Sequence, residues 1–344
     1  MEIRRIEIGL PGTLVDDSEV LELVRHHSSG SPEDVAQISA AIRAFFHDCG
    51  SKRRAWRDDD RSPSRILLNT ARRAIEGIDS IDVVIYCSVA KYFAEPSHTS
   101  FFCKQLGIEP KLSFDVSDGC MGWITALSLL SDFSRTRCYR YGLIVSHEFP
   151  LGYGGLYPAS FRIDSMEETS YKMPVLTIGE ASSITVVKIG THRTSSLRVE
   201  RLEFPSGADL CSMPYHNYMD FLGSSSFIRE PDRFHAFYHE MSRVGATPSL
   251  RMINRLIFED SVNLVVHSYT KSFERLAKCL KFKARIINYF SDYGNLATSS
   301  IPINLQVAKK RREIDFSKPT FAWVASAGIK SAVMELPLGE EFKQ

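Results

Sequence analysis

Several features that would assign this chain to a class at once are missing. Its longest apolar runs fall well short of the roughly 20 residues of a membrane-spanning helix, and the first residues, MEIRRIEIGLPG, hold no signal-peptide core. The net charge of +1 creates no overall field that would favour nucleic acid or an anionic membrane. We therefore expect a cytoplasmic protein that binds neither nucleic acid nor membrane.

Signs of disulfide or metal chemistry are also lacking. The seven cysteines are irregularly spaced, unlike those of a disulfide framework or a zinc site, and reduced thiols fit the cytosol. His235 and His239 would share one face of a helix, but no third ligand is near, so no metal is expected. The composition, 44% hydrophobic and 24% charged, is that of an ordinary globular protein.

Two basic clusters interrupt this even distribution of charge. They lie at 51–57 (SKRRAWR) and at 309–312 (KKRR). A solvated surface explains both clusters, and the alternative is a surface that docks an acidic carrier protein.

An internal repeat is the strongest pattern in the chain. Residues 81–91 (IDVVIYCSVAK) resemble residues 262–271 (VNLVVHSYTK), and each run predicts a buried strand. A helical pattern opening with Ser-Pro or Thr-Pro precedes each strand, at 62–77 and 247–260. Three more pairs follow in the same order, a strand–turn–helix at 111–133 and 284–310, then strands at 140–148 and 320–328, and at 182–190 and 330–339.

This alternation of strands and helices predicts an α/β protein whose parallel or mixed sheets lie between helix layers. Two repeats predict a pseudo-two-fold body of five α-β-α-β-α layers, with residues 1–190 as the first half and 191–344 as the second. The irregular segment from about 191 to 243 is expected to cap a substrate entrance.

Four polar features lie where predicted strands end. They are Cys120, His267, Asn295 and the turn ASAG at 325–328. Because sites in α/β sheets form at the carboxyl ends of strands, we expect a thiol, an imidazole, an amide and backbone donors to converge.

Each of these side chains has an ordinary explanation as well as a chemical one. Cys120 is either a core thiol or a nucleophile at the start of a helix, where the dipole and free N–H groups favour a thiolate and hold an oxyanion. His267 is either structural or a proton carrier and hydrogen-bond donor. Asn295 is either a turn residue or a neutral donor for an enolate.

The segments SDGCMGWITAL, VVHSYTKS, YGNLATSSIPI and the closing ASAG resemble the thiolase-like superfamily, and most of all ketoacyl-acyl carrier protein synthase III and its natural-product relatives. The likeness covers nearly the whole chain. It implies the thiolase-like fold, a homodimer and an acyltransferase that works by ping-pong transfer through Cys120. The acyl and malonyl thioesters would come from acyl carrier protein or coenzyme A, with no metal or redox cofactor.

The resemblance also implies roles for individual residues. His267 and Asn295 would stabilise the enolate that forms as a malonyl thioester loses carbon dioxide, and the N–H groups of Cys120 and Gly328 would form the oxyanion hole. Glu95 would stand at the position that reaches the partner's acyl pocket, which predicts a short or polar acyl group. Lys271 would contact a phosphate or a substrate carboxylate, or is a surface charge.

Departures from the family leave the exact reaction open. Asp48 and Ala44 stand where housekeeping synthases hold the coenzyme A nucleotide with Arg and Trp, which favours a carrier-protein donor or a small acceptor. The first expectation is decarboxylative condensation in specialised polyketide or fatty-acid-like biosynthesis. The alternatives are a non-decarboxylating acyltransferase to an O, N or S acceptor and a silent partner subunit; hydroxymethylglutaryl-CoA synthase fits less well.

Overall fold

The computed structural model describes residues 1–56, 62–136, 139–152, 155–190, 197–215, 218–222, 227–228, 230, 233–267 and 269–344. The strands are, in chain order, β1 (Glu2–Gly9), β2 (Thr13–Asp16), β3 (Arg53–Trp56), β4 (Val83–Tyr86), β5 (Leu112–Asp115), β6 (Tyr141–Glu148), β7 (Ala181–Lys188), β8 (Val199–Glu203), β9 (Cys211–Ser212), β10 (His235–Ala236), β11 (Ser261–Val266), β12 (Lys283–Ile287), β13 (Thr320–Ser326) and β14 (Lys330–Glu335).

The helices alternate with these strands through both halves of the chain. They are α1 (Asp17–His27), α2 (Pro32–Cys49), α3 (Pro63–Ile75), α4 (His98–Leu106), α5 (Gly122–Thr136), α6 (Met166–Lys172), α7 (Tyr218–Leu222), α8 (Tyr238–Leu256), α9 (Ser272–Leu276), α10 (Phe290–Tyr293), α11 (Ser300–Arg311) and α12 (Glu340–Lys343). Among the described residues, no helix combines the length and apolar character needed to cross a membrane.

Two mixed five-stranded sheets have the same strand order. In the first, β1-β7-β6-β4-β5, the strand β4 runs parallel to β5 and β6, and β7 is antiparallel to β6 and β1. In the second, β12-β11-β13-β14-β8, each pairing has the same direction as its counterpart. The internal repeat predicted from the sequence is confirmed strand by strand.

The helices complete five layers around these sheets. The largest apolar cluster joins α5 and α11 to both sheets, so this helix pair forms the central layer. The helices α3 and α4 pack on the outer face of the first sheet, and α8 and α9 on that of the second. Nine residues in a row, Ser300–Ala308, are buried in α11, as expected of a helix enclosed on all sides. The predicted α-β-α-β-α architecture is confirmed.

One helix begins earlier than its sequence signal indicates. The Thr-Pro pair predicted a start near 247, but α8 begins at Tyr238 and carries Pro248 in its interior. Proline costs the helix one hydrogen bond, and the packing of α8 against β8 and β14 outweighs that loss. His235 lies in β10 and His239 in α8, so the expectation that they share a helical face was wrong.

Candidate active site

Cys120 lies at the tip of the turn between β5 and α5. A 3-10 turn, Gly119–Met121, directly precedes α5. Gly119 has a φ of +52°, and a Cβ there would lie 2.6 Å from the Ser326 side-chain oxygen. A Cβ on Gly122 would lie 2.5 Å from the Cys87 carbonyl oxygen. Both glycines therefore let the turn approach neighbouring strands closely, and Cys120 stands at the helix start, as the sequence predicts.

The thiol of Cys120 is not poised as a thiolate. Burial raises its pKa well above the ordinary value, and Cys211 and Glu148 act in the same direction. A hydrogen bond with the Ser326 side chain lowers the pKa, but less than burial raises it. The helix start was expected to favour a thiolate, but desolvation outweighs that effect. The resting site therefore needs a base that accepts the thiol proton of Cys120.

His267 follows β11 and is 3% exposed. Its backbone N–H donates to the Trp323 carbonyl oxygen at 2.9 Å, which fixes the residue beside β13. Burial lowers the pKa of the imidazole to about 4, while the side chain of Asn295 and the backbone of Ala325 oppose that shift. No described residue makes a hydrogen bond of ordinary geometry to either ring nitrogen, so these two neighbours act at longer range. At neutral pH the ring is uncharged and offers one donor and one acceptor.

Asn295 is held by its backbone and by one side of its amide. Its N–H donates to Thr177 at 2.8 Å, and its carbonyl accepts from Gly179 at 2.9 Å. The Ala297 N–H donates to the side-chain oxygen at 3.0 Å. Because a backbone N–H can only donate, this contact assigns the oxygen and makes the NH2 group the donor end of the amide.

The predicted convergence of the three side chains occurs in one cavity of about 420 Å³, which Cys120, His267 and Asn295 all line. Most of the cavity wall is apolar. Its large apolar side chains include Phe45, Ile178, Phe204, Met213, Phe234 and Ile329. Three of those six, Phe204, Met213 and Phe234, come from the segment predicted to cap a substrate entrance. Its residues 191–196, 216–217, 223–226, 229 and 231–232 lie outside the described part of the chain.

Three residues expected in the site do not line this cavity. Gly328 lies in the turn between β13 and β14 with a φ of +74°, and Ser326 makes the contact with the Cys120 N–H at 2.9 Å instead. Glu95 is exposed, so within this chain it does not contribute to the cavity. The Lys271 side chain packs over Gly50, where any Cβ would collide with it.

The two basic clusters meet at one acidic residue. Arg53 and Arg311 both pair with Asp292, at 3.4 and 3.1 Å. Arg54, by contrast, is fully buried and pairs with Asp17 at 2.8 Å, so the expectation of a solvated cluster was wrong for this residue. Arg57 lies outside the described residues.

Sequence reasoning missed several polar residues of the cavity wall, among them Ser326, Glu148 and Cys211. Glu148 ends β6, so the rule that pointed to His267 also covers it. Its carboxylate accepts from the N–H groups of Val89 and Ala90 at 2.9 and 3.1 Å. Cys211 belongs to the irregular segment, where no pattern marks it. Among the described residues, no group of three His, Cys, Asp or Glu side chains is placed to hold a metal.

Known proteins give matches in sequence and in fold. No family model matches the chain. Beta-ketoacyl-[acyl-carrier-protein] synthase III of Chlamydia pneumoniae is 23% identical over 240 residues, 66% of this chain and 67% of that protein. Matches to the Helicobacter synthases span about a third of those proteins, 31% of their length.

Two solved structures superpose along almost the whole chain. Synthase III of Thermus thermophilus covers 98% of this chain and 99% of its own, with a TM-score of 0.74 and 19% identity. A variant of Xanthomonas campestris OleA with bound lauric acid and lauroyl-CoA covers 97% and 98%, with a TM-score of 0.77 and 17% identity.

The fold is therefore the thiolase-like fold. The curated matches carry the same enzyme name as the resemblance seen in the motifs, so the chain is similar to ketoacyl-acyl carrier protein synthase III in sequence and in fold. The predicted class, an acyltransferase of the condensing-enzyme type, agrees with the name that these relatives carry.

Proposed function

We propose that this protein joins an acyl group to a malonyl-type thioester by decarboxylative Claisen condensation, with Cys120 as the acyl carrier. The observation that supports this most is the shared cavity. It brings a thiol together with an uncharged imidazole and with an amide whose oxygen accepts from the Ala297 N–H, so that its NH2 group is the donor. These are the groups that acyl transfer and enolate stabilisation need.

The first half-reaction transfers the acyl group to sulfur. His267 accepts the thiol proton of Cys120, and the sulfur attacks the carbonyl carbon of an acyl thioester. The carbon–sulfur bond of the donor breaks as the new one forms. The departing thiolate takes the proton back from His267, so the imidazole returns to its uncharged form.

The second half-reaction forms the carbon–carbon bond. A malonyl thioester loses carbon dioxide, and the electron pair left behind is held as an enolate whose oxygen accepts from the His267 N–H and the Asn295 NH2. Both donors are neutral, so they stabilise the enolate without readily protonating its carbon. That carbon attacks the acyl group on Cys120, the carbon–sulfur bond breaks, and the sulfur leaves as a thiolate that takes a proton from water.

The walls of the cavity support an acyl substrate. They are mainly apolar, with a smaller polar share that includes Cys120, His267 and Asn295, the usual composition of a small-molecule site. One neighbour of the same fold holds lauric acid and lauroyl-CoA, and the curated relatives are named for acyl carrier protein. We propose a thioester of carrier protein or coenzyme A as donor, a homodimer as the working unit, and a place in specialised polyketide or fatty-acid-like biosynthesis.

Intact-protein mass spectrometry with a panel of acyl-CoA and acyl-carrier thioesters tests the first half. We expect an acyl mass gain in the wild type and in Cys279→Ala, whose thiol is exposed, but none in Cys120→Ala. Release of carbon dioxide from a malonyl thioester by the acylated enzyme tests the second half. A mass gain at Cys120 without carbon dioxide release, followed by transfer to an O, N or S acceptor, would replace condensation by simple acyl transfer.

A further inference from the structure

Ser326 brings a hydroxyl into direct contact with the backbone N–H of the proposed nucleophile, Cys120. It is the last residue of β13 and is 5% exposed. The Cys120 N–H donates to its side-chain oxygen at 2.9 Å. The glycine before Cys120 makes room for this contact, since a Cβ on Gly119 would lie 2.6 Å from the same oxygen. Both residues line the cavity, so the hydroxyl stands where a bound thioester would meet the sulfur.

This contact changes which group can donate to a reacting oxygen. A backbone N–H carries a single proton, and the Cys120 N–H already gives it to Ser326. The hydroxyl accepts through its oxygen and keeps its own proton free to donate. Accepting one hydrogen bond also polarises the O–H group and strengthens the bond it donates. The N–H and the hydroxyl therefore form a short chain that ends in an O–H donor.

Other groups around the sulfur do not replace that donor. Cys211 on β9 and Glu148 at the end of β6 both disfavour a thiolate at Cys120, whereas the hydrogen bond with Ser326 favours it. His267, from the end of β11, is uncharged. Asp118, in the same turn as Cys120, pairs with Lys330 at 3.0 Å.

We propose that Ser326 is a catalytic residue whose hydroxyl, held by the Cys120 N–H, donates first to the Cys120 sulfur and then to the thioester oxygen as negative charge develops there. No proton leaves Ser326 in either step; only the acceptor of its hydrogen bond changes, as charge moves from sulfur to oxygen. The second donation rests on the acyl transfer proposed above. The first needs no acyl substrate, because it starts from the contact of the hydroxyl with the Cys120 N–H in the unliganded site.

Alkylation of the thiol by iodoacetamide tests the first donation without any acyl substrate. Peptide mass spectrometry would follow Cys120, with the exposed Cys279 as the internal reference in every sample. Ser326→Ala removes a hydrogen bond to the thiolate form of Cys120. At a fixed pH below the thiol pKa, the rate of Cys120 alkylation should therefore fall about tenfold. Alanine is smaller than serine, so better access would have the opposite effect. Ser183→Ala, which removes a buried hydroxyl on β7, should leave the rate unchanged.

A second variant separates the hydroxyl from the shape of the side chain. Ser326→Thr keeps the O–H group and should react within about threefold of the wild type, as expected if only the hydrogen bond matters. Equal Cys120 reactivity in the wild type and Ser326→Ala would overturn the proposal, as would a threonine variant as slow as alanine.

Acylation measured by intact mass tests the second donation. Ser326→Ala should lower its rate about 100-fold, the usual effect of losing one oxyanion donor. A faster rate would mean that serine only blocks the N–H, and would overturn the proposal. If no thioester acylates the wild type while alkylation behaves as expected, the proposed function fails and the proposed donation from the hydroxyl to the sulfur stands.

Discussion

Asn295→Asp separates the two proposed half-reactions most sharply. Aspartate has nearly the same shape as asparagine and still offers an oxygen to the Ala297 N–H, which lies 3.0 Å from the present side-chain oxygen. What it loses is the NH2 group, the only part of the side chain that can donate. Asn295→Ala is a poorer probe, because it also leaves the Ala297 N–H without this acceptor.

The size of the expected effect follows from the number of donors. We assign two neutral donors to the enolate, one from His267 and one from Asn295, and loss of one such donor costs about 100- to 1,000-fold in rate. Decarboxylation should therefore fall by at least about 100-fold. Acylation of Cys120 does not use the amide, so it should stay within a few fold of the wild type.

Two readings from one reaction mixture check this. Intact mass gives the rate of acylation, and release of labelled carbon dioxide from a malonyl thioester gives the rate of the second step. Carbon dioxide release near the wild-type rate with normal acylation would refute the role of the amide. Equal losses in both steps would also refute it, since they would indicate a general disturbance of the cavity.

Three further predictions concern stability. The pKa of His267 is about 4 in the folded protein against 6.5 for free imidazole, so the unfolded chain binds more protons than the folded one between these two pH values. The free energy of unfolding should therefore fall by up to about 3 kcal/mol as the pH drops from 6.5 to 4. Urea unfolding should show a smaller decline in His267→Gln. Gly122→Ala would press a methyl group against the Cys87 carbonyl and should cost about 1–3 kcal/mol, and an unchanged melting temperature would contradict it. Glu148→Gln would turn an amide NH2 toward the Val89 or Ala90 N–H and should cost a similar amount, measured in the same melt.

The fold was predictable because the same order of strand and helix patterns occurs twice in the sequence. Strands β4 and β11 come from runs that resemble each other, and the segments after each run repeat in the same order. The start of α8 was not predictable in this way. Its first nine residues, Tyr238–Ala246, precede a Thr-Pro signal that is a good helix start by local rules, and only packing against the second sheet makes the helix continue through Pro248.

The candidate site was predictable only in part. Strand ends pointed to Cys120, His267 and Asn295 because each lies at such an end in its own repeat, and topology brings those ends together. Ser326 belongs to the same predicted turn as Gly328, two residues away, and the sequence cannot say which of them meets Cys120. That choice depends on the register of β13 and β14, in which Ser326 pairs with Lys330, and on a contact across 206 residues of chain. A shift of one residue in this hairpin would turn the hydroxyl away from the cavity. The register of β13 and β14 therefore decides whether the oxyanion hole is made of backbone N–H groups alone or is completed by the serine hydroxyl.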